Sequence, residues 1–309
     1  MTLQDCRQRI AVLGASGFLG SAMTQYLANE GHQVHACSRQ QTDEWNDFSN
    51  VVLKVGDLRD PMALTEAVTG VDFVYHFAST THPTRHYSDP LAECNDAFLP
   101  LLTLMEVATQ AKVKKIVFPS SGGTVYADSP SARTEESPTD PRSPYAIIKL
   151  ASEQMLKHAV RMGQFSVDIF RLGNPFGIGQ RARPGQGVLP HWIQAIQTNQ
   201  PIQIFGDGTD ERDYIFVNDV CQLMATSLHR PEASEVFNLG TGRATSLNEL
   251  LRTLQSVVDH EIHIEYRPSR PVDIRSISLD SRRLLKLIPG FEFIGLRQGI
   301  EATLKSCPK

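Results

Sequence analysis

The chain has 309 residues, 41% hydrophobic and 21% charged, which is enough to bury the core of two domains or one large elaborated one and excludes disordered, collagen-like and membrane-spanning classes. Thirty basic against 34 acidic side chains leave a net charge of −4, which argues against a nucleic-acid or membrane partner. Five scattered cysteines without a C-x-x-C pair read as reduced thiols, and the polar start from Met1 to Arg9 lacks a secretion signal, so a cytoplasmic chain with no metal site is expected.

Short β-branched runs alternate with longer amphipathic stretches through the first half, the pattern of βα units feeding a parallel sheet. Strands are predicted at Ile10–Leu13, Val34–Cys37, Val51–Val55, Phe73–Phe77, Ile116–Phe118 and Val167–Phe170. Helices are predicted at Phe18–Glu30, Pro61–Thr69, Asp89–Ala111 and Pro144–Met162, with Asp60 capping a helix that begins at Pro61. Beyond Arg171 the connections turn Gly- and Pro-rich. Ser246 with Glu249 forms a capping box for a helix to about Val258, and Ile262–Tyr266 reads as a strand. The expected fold is α/β: a doubly wound, Rossmann-type parallel sheet over residues 1–172, with part of 210–232 returning to it, and a smaller mixed α/β substrate domain over 173–309.

Gly14-Ala15-Ser16-Gly17-Phe18-Leu19-Gly20 joins the first strand to the first helix. Glycines there permit a tight turn and close approach of a diphosphate, onto which the helix's first N–H groups converge. A carboxylate for the adenosine ribose is expected at the end of the second strand, yet the chain has Ser38-Arg39. An arginine pairs with a 2′-phosphate, so the local chemistry favours NADP over NAD. The competing readings leave Arg39 in solvent, or bring Asp43 and Glu44 back toward the ribose.

Tyr145 and Lys149 stand four residues apart at the start of a predicted helix and project on one face. A nearby ammonium and an oxidised nicotinamide would stabilise the tyrosinate as a base, while an exposed helix pair is the plainer reading. After the fifth strand, Ser120-Ser121-Gly122-Gly123-Thr124 offers hydroxyls for a substrate oxygen. Ser121, 24 residues before Tyr145, is preferred, with Ser120 and Thr124 as contenders and backbone-satisfying turn residues as the alternative. His82 and His86 flank Pro83 and suggest no metal-binding helix.

The G-x-x-G-x-x-G loop with Y-x-x-x-K resembles the extended short-chain dehydrogenase/reductases. Adding SSGGTVYA, RLGNPFG, IFGDG, RDYIFVND and FNLGTG, nearly the whole chain resembles the nucleotide-sugar epimerase/dehydratase family, nearest its UDP-glucose 4-epimerase group. The resemblance implies that Asp57 and Leu58 meet adenine and that Phe77, Ala78 and Ser79 lie by the nicotinamide ribose, with Asn95 and Pro175 also on the cofactor. It places the nucleotide-diphosphate sugar against Thr80, Asn174, the backbone at Leu189, Gln203 to Phe205, Arg212, Arg270 and Asp273. It also implies a homodimer built on the helices carrying Leu99 and Ile147. Three departures stand out: Ser38-Arg39 for the ribose acid, Thr81 where a lysine is frequent, and Asn95-Asp96-Ala97-Phe98-Leu99 for N-V-x-G-T. The implied activity is NAD(P)-dependent epimerisation at hexose C4 through a 4-keto intermediate. The alternatives are NADPH-dependent reduction of a dTDP- or UDP-4-keto-6-deoxyhexose, and a non-catalytic dinucleotide sensor on the same fold.

Overall fold

A computed structural model describes residues 7–79, 89–129, 131–183, 187–259, 261–268 and 275–306. Two compact units form, one from Met1–Ser120, Arg142–Phe170 and Cys221–Phe237, the other from Ser121–Pro141, Arg171–Val220 and Asn238–Lys309.

The first unit is built on βα units in the expected order: β1 (Arg9–Leu13), α1 (Phe18–Asn29), β2 (Gln33–Ser38), β3 (Val51–Val55), α2 (Pro61–Val68) and β4 (Phe73–His76). Then come α3 (Pro90–Glu93), α4 (Leu99–Gln110), β5 (Lys115–Ser121), α6 (Pro144–Arg161) and β6 (Ser166–Leu172), while the single turn α5 (Gly122–Val125) that follows β5 belongs to the second unit. With β10 (Glu235–Leu239), six of these strands make a seven-stranded sheet in the order β10-β6-β5-β4-β1-β2-β3. The pairings of β1 with β2 and β4, of β2 with β3 and of β4 with β5 are parallel. Strand order therefore reverses between β1 and β4, which opens a crevice beyond Leu13 and His76 where ligands of open α/β sheets bind.

Alternation along β1 sends Ala11 and Leu13 into a core with Leu64, Leu104, Ile116 and Leu156 from α2, α4, β5 and α6. Ile10 and Val12 are fully buried on the opposite face. The predicted helix over Asp89–Ala111 is not continuous. A π-helical turn, Cys94–Phe98, separates α3 from α4. Pro100 in the first turn of α4 explains the break, because its ring lacks an N–H and would collide with the carbonyl four residues back in a regular helix.

The second unit contains β7 (Asn174–Phe176), α7 (Val188–Gln197), β8 (Ile202–Phe205), β9 (Glu211–Phe216), β11 (Ala244–Ser246), α9 (Leu247–Gln255), β12 (Ile264–Arg267), α10 (Arg282–Leu285) and α11 (Leu296–Ser306), with α8 (Val217–Met224) crossing from it to the first unit. One small sheet runs β11-β9-β7, with β11 antiparallel and β7 parallel to β9, and β12 pairs in parallel with β8. Its core gathers Phe176, Leu189, Trp192, Phe216 and Leu250. The Ser246 hydroxyl caps α9 by accepting from the Glu249 N–H at 3.1 Å, as the capping box requires. Among the described residues no helix is long and apolar enough to cross a membrane.

Candidate active site

The loop after β1 is drawn into the crevice by its own backbone. The N–H groups of Gly14 and Ala15 donate to the Cys37 carbonyl at 3.1 and 3.0 Å, and Gly17 donates back to the Gly14 carbonyl at 2.9 Å. Gly14 sits at φ +82°, and a Cβ there would lie 2.6 Å from the Ala78 nitrogen, so the loops after β1 and β4 touch backbone to backbone. A Cβ on Gly20 would strike the Gly14 carbonyl oxygen in the same way.

The start of α1 differs from those of α2, α6 and α9, which are capped by Asp60, Ser143 and Ser246. At α1 the N-cap is Gly17, which has no side chain to cap the helix, and no acid lies in its first turn. The first-turn N–H groups, which have no intrahelical acceptor, are left for an outside anion. Ser16, Phe18 and Leu19 surround that position, and Ser16 is exposed. This cradle fits the diphosphate of a dinucleotide.

At the end of β2, Ser38 is buried and its Oγ accepts from the Gln40 N–H at 3.3 Å, while Arg39 is exposed. Asp57, one residue past the turn after β3, accepts from the Arg59 guanidinium at 2.6 Å. That contact, with the nearby Arg39 charge, holds its carboxyl down at about 2. Asp43 accepts from Asn46, and Glu44 accepts from the Ser21 hydroxyl on α1. Leu58 packs against the core. Asn95 is exposed on the π-helical turn.

Tyr145 and Lys149 occupy the first two turns of α6, which Ser143 caps by accepting from the Ala146 N–H at 3.2 Å. Both line a cavity with His76, Ala78, Ser79 and Glu93. Phe77 continues β4 by donating its N–H to the Leu13 carbonyl at 2.8 Å. Lys149 Nζ donates to the Pro119 carbonyl at 2.9 Å and stands 4.7 Å above the Phe118 ring and 5.8 Å from the Tyr145 ring centre. Burial draws the Lys149 ammonium down to about 8, and the Glu93 and Glu153 charges oppose that fall. His76 is buried, its Nδ1 has no hydrogen-bond partner among the described residues, and burial followed by the Lys149 charge holds its pKa near 4.

The three contending hydroxyls have different surroundings. Ser120 Oγ donates to the buried Glu153 carboxylate at 2.6 Å. Ser121 ends β5 and is half-buried. Thr124 Oγ1, in α5, is a buried atom without a hydrogen-bond partner among the described residues. In the second unit a Cβ on Gly123 would come within 3.5 Å of Asn174 Oδ1, so the SSGGT turn and β7 adjoin. The Pro175 carbonyl accepts from Gln180 at 3.3 Å. The Leu189 side chain is buried in the core, so only its backbone is offered to a ligand. Gln203 is exposed on β8, its carbonyl accepting from Trp192, and Phe205 is half-buried. Arg212 donates to the Glu211 carbonyl at 2.8 Å. Thr80, Thr81, His82, His86, Arg270 and Asp273 lie outside the described residues.

Sequence reasoning missed four buried groups. His76, Glu93 and Glu153 surround Lys149, and the one available signal was Glu153 four residues beyond the lysine. Asp213 is the other: its carboxylate accepts from the Thr241 N–H and hydroxyl at 2.8 and 2.7 Å and from the Gly242 and Leu279 N–H groups at 3.0 Å each. Those partners sit 28 and more residues away, where no local pattern reveals them.

A parallel sheet reversing at β1/β4, an uncapped glycine-led helix and a tyrosine–lysine pair beside that crevice define a nicotinamide-dinucleotide enzyme of the extended short-chain dehydrogenase/reductase class. The model of the NAD dependent epimerase/dehydratase family matches residues 10–240, and the chain belongs to that family. A UDP-glucose 4-epimerase of Mycolicibacterium smegmatis is 30% identical over 307 residues, covering 96% of this chain and 97% of the relative. A dTDP-4-dehydro-6-deoxyglucose reductase of Escherichia coli is 25% identical over 317 residues, 98% of each chain. The solved structure of the Thermotoga maritima UDP-glucose 4-epimerase with UDP-glucose has a TM-score of 0.87 and 27% identity, covering 96% of this chain and 98% of that one.

Proposed function

We propose that this enzyme is a nucleotide-sugar epimerase acting at hexose C4 through a transient 4-keto sugar. The observation that carries the reading is the placement of Tyr145 and Lys149 one helical turn apart on α6, in one cavity with Ala78 and Ser79 beyond β4. Tyr145 takes the C4 hydroxyl proton and later returns it. Lys149 sets a positive field across the tyrosine ring that favours the phenolate. The bound nicotinamide supplies the hydride acceptor and donor. Ser121 donates to the C4 oxygen as charge develops there, with Thr124 as the second candidate. Asn174, Arg212, Arg270 and Asp273 are assigned to the diphosphate sugar. Relatives and neighbours named for UDP-glucose support UDP as the nucleotide.

The test is interconversion of UDP-glucose and UDP-galactose followed by NMR, without net change at 340 nm, and abolished by Tyr145→Phe. Steady NADPH consumption with a dTDP-4-keto-6-deoxy sugar, and no interconversion, would establish the net reductase instead. Exposed Arg39 in place of a carboxylate and the reductase relative favour that second reading.

The proposal extends to a homodimer. Leu101, Leu104 and Met105 are buried in their own subunit's core, whereas Leu99 on α4 and Ile147 on α6 are each 51% exposed. A second copy covering those positions would remove that apolar surface from water. Light scattering at micromolar concentration should give twice the 34.3 kDa chain mass, and a monomer mass refutes it.

A further inference from the structure

Two carboxylates are buried beside the tyrosine–lysine pair, Glu93 on α3 at 1% exposure and Glu153 on α6 at 0%. A buried carboxylate is costly unless a cation or hydrogen bonds compensate it. Glu153 lies one turn beyond Lys149 and is fixed from β5, where Ser120 donates to it at 2.6 Å. The preceding residue of the same strand, Pro119, accepts from Lys149 at 2.9 Å. Two adjacent residues of β5 thus fix the lysine and the carboxylate of α6 in one register. Glu93 lines the cavity that Lys149 and Tyr145 share, brought there by the turn of α3 just before the π-helical break.

Among the described residues, three elements bring charged or titratable groups to Lys149. From β4 comes His76, held neutral by burial. From α3 comes Glu93. From α6 come Tyr145 and Glu153, the latter with Lys157 Nζ at 4.0 Å on its outer side. Asp96 of the π-helical turn lies 3.8 Å from Arg59. The two buried carboxylates are the groups whose charges favour the lysine's ammonium form against burial.

We propose that Glu93 and Glu153 are positioning residues that hold Lys149 in place and in its cationic form within the dinucleotide pocket, acting on the reaction only through the lysine. The inference rests on the reading of Lys149 as the partner of Tyr145 and of the cofactor. A neutral lysine would lose its field on the phenol and its strongest hydrogen bonds to a ribose hydroxyl, so the carboxylates set the pH range over which the tyrosine can act.

The test labels the full-length protein with trace acetic anhydride across pH 6 to 11 and reads acetylation of Lys149 by peptide mass spectrometry. The wild-type midpoint is expected near pH 8. Glu93→Gln and Glu153→Gln should each lower it by about one pH unit, which is about a fivefold gain in labelling at pH 7. Glu153→Asp should restore most of the shift. An unchanged midpoint in folded Gln variants, even with a lowered melting temperature, would reduce the carboxylates to packing and overturn the proposal. Should neither Gln variant fold, Ser120→Ala decides, since freeing Glu153 from its anchor should lower the midpoint and an unmoved one refutes the role. Labelling needs neither substrate nor turnover, so it fails independently of the epimerase reading.

Discussion

The Ser120 hydroxyl and the Glu153 carboxylate, 33 residues apart, are joined by a 2.6 Å hydrogen bond in the interior of the first unit. A serine donating to a buried carboxylate is held to that partner, because withdrawing it would leave the charge less satisfied. The bond therefore separates Ser120 from the other two hydroxyls of its segment. Ser120→Ala should cost about 1.5–3 kcal/mol of stability in thermal unfolding. Ser121→Ala should leave the melting temperature near wild type and lower kcat about a hundredfold, with KM little changed. If Thr124→Ala gives that kinetic loss and Ser121→Ala does not, the donor to the C4 oxygen is the threonine.

Gly14→Ala should damage folding and dinucleotide binding together. The added Cβ would lie 2.6 and 2.7 Å from Ala78 backbone atoms and 2.8 Å from the Phe77 carbonyl carbon, at φ +82°. Both obstacles are backbone, which cannot rotate aside. Overpacking and a left-handed alanine together should cost about 2 kcal/mol or more. A lowered melting temperature with at least a tenfold weaker NAD(P)(H) titration is expected. Wild-type affinity would show that the two loops part easily.

Cofactor preference can be tested at the end of β2. If exposed Arg39 contacts a 2′-phosphate, Arg39→Ala removes a charge-assisted hydrogen bond, worth about 1.5–3 kcal/mol or roughly 10- to 100-fold in affinity for NADP(H), and leaves NAD(H) almost untouched. Ser38→Asp should shift preference toward NAD, since a carboxylate accepts from the ribose and repels the phosphate. Equal losses for both cofactors in calorimetric titrations would place the arginine in solvent.

Acid should weaken the fold through His76. Its imidazole titrates near 6.5 when unfolded but near 4 in the fold, so between those values the unfolded chain binds the extra proton and stability falls as pH drops. The loss attributable to this residue is about 2 kcal/mol by pH 5. His76→Gln, which cannot titrate, should show a shallower decline of melting temperature from pH 7 to pH 5, and an identical decline would mean that other groups control acid unfolding.

Asp213→Ala should be among the most destabilising single changes in the second unit. It strips the acceptor from three backbone N–H groups and the Thr241 hydroxyl, and orphaned buried donors cost about 1–3 kcal/mol each. Urea unfolding should register a loss of several kcal/mol, and a loss under 1 kcal/mol would mean that water replaces the carboxylate.

The local features of this protein were legible in its sequence because they depend on neighbours within one turn or one strand. Short β-branched runs marked β1 to β6, Asp60 and Ser246 marked the starts of their helices, and the glycine spacing of Gly14 to Gly20 marked the tight turn into α1. Tyr145 and Lys149 share a helix face through the α-helical repeat alone. The tertiary structure decided what distant segments do to each other. Pairing order brought His76 of β4 and Glu93 of α3 to one cavity with Lys149, and a proline at the start of α4 split a helix whose apolar pattern ran through. Short strands such as β7, β9 and β11 acquire their conformation from the sheet they join, and Asp213 finds its partners in the strand-end turns of another segment. A hydrogen bond or a buried charge is satisfied by whatever the fold delivers within about 3 Å, and sequence spacing carries no record of that delivery when the partners are 28 to 66 residues apart.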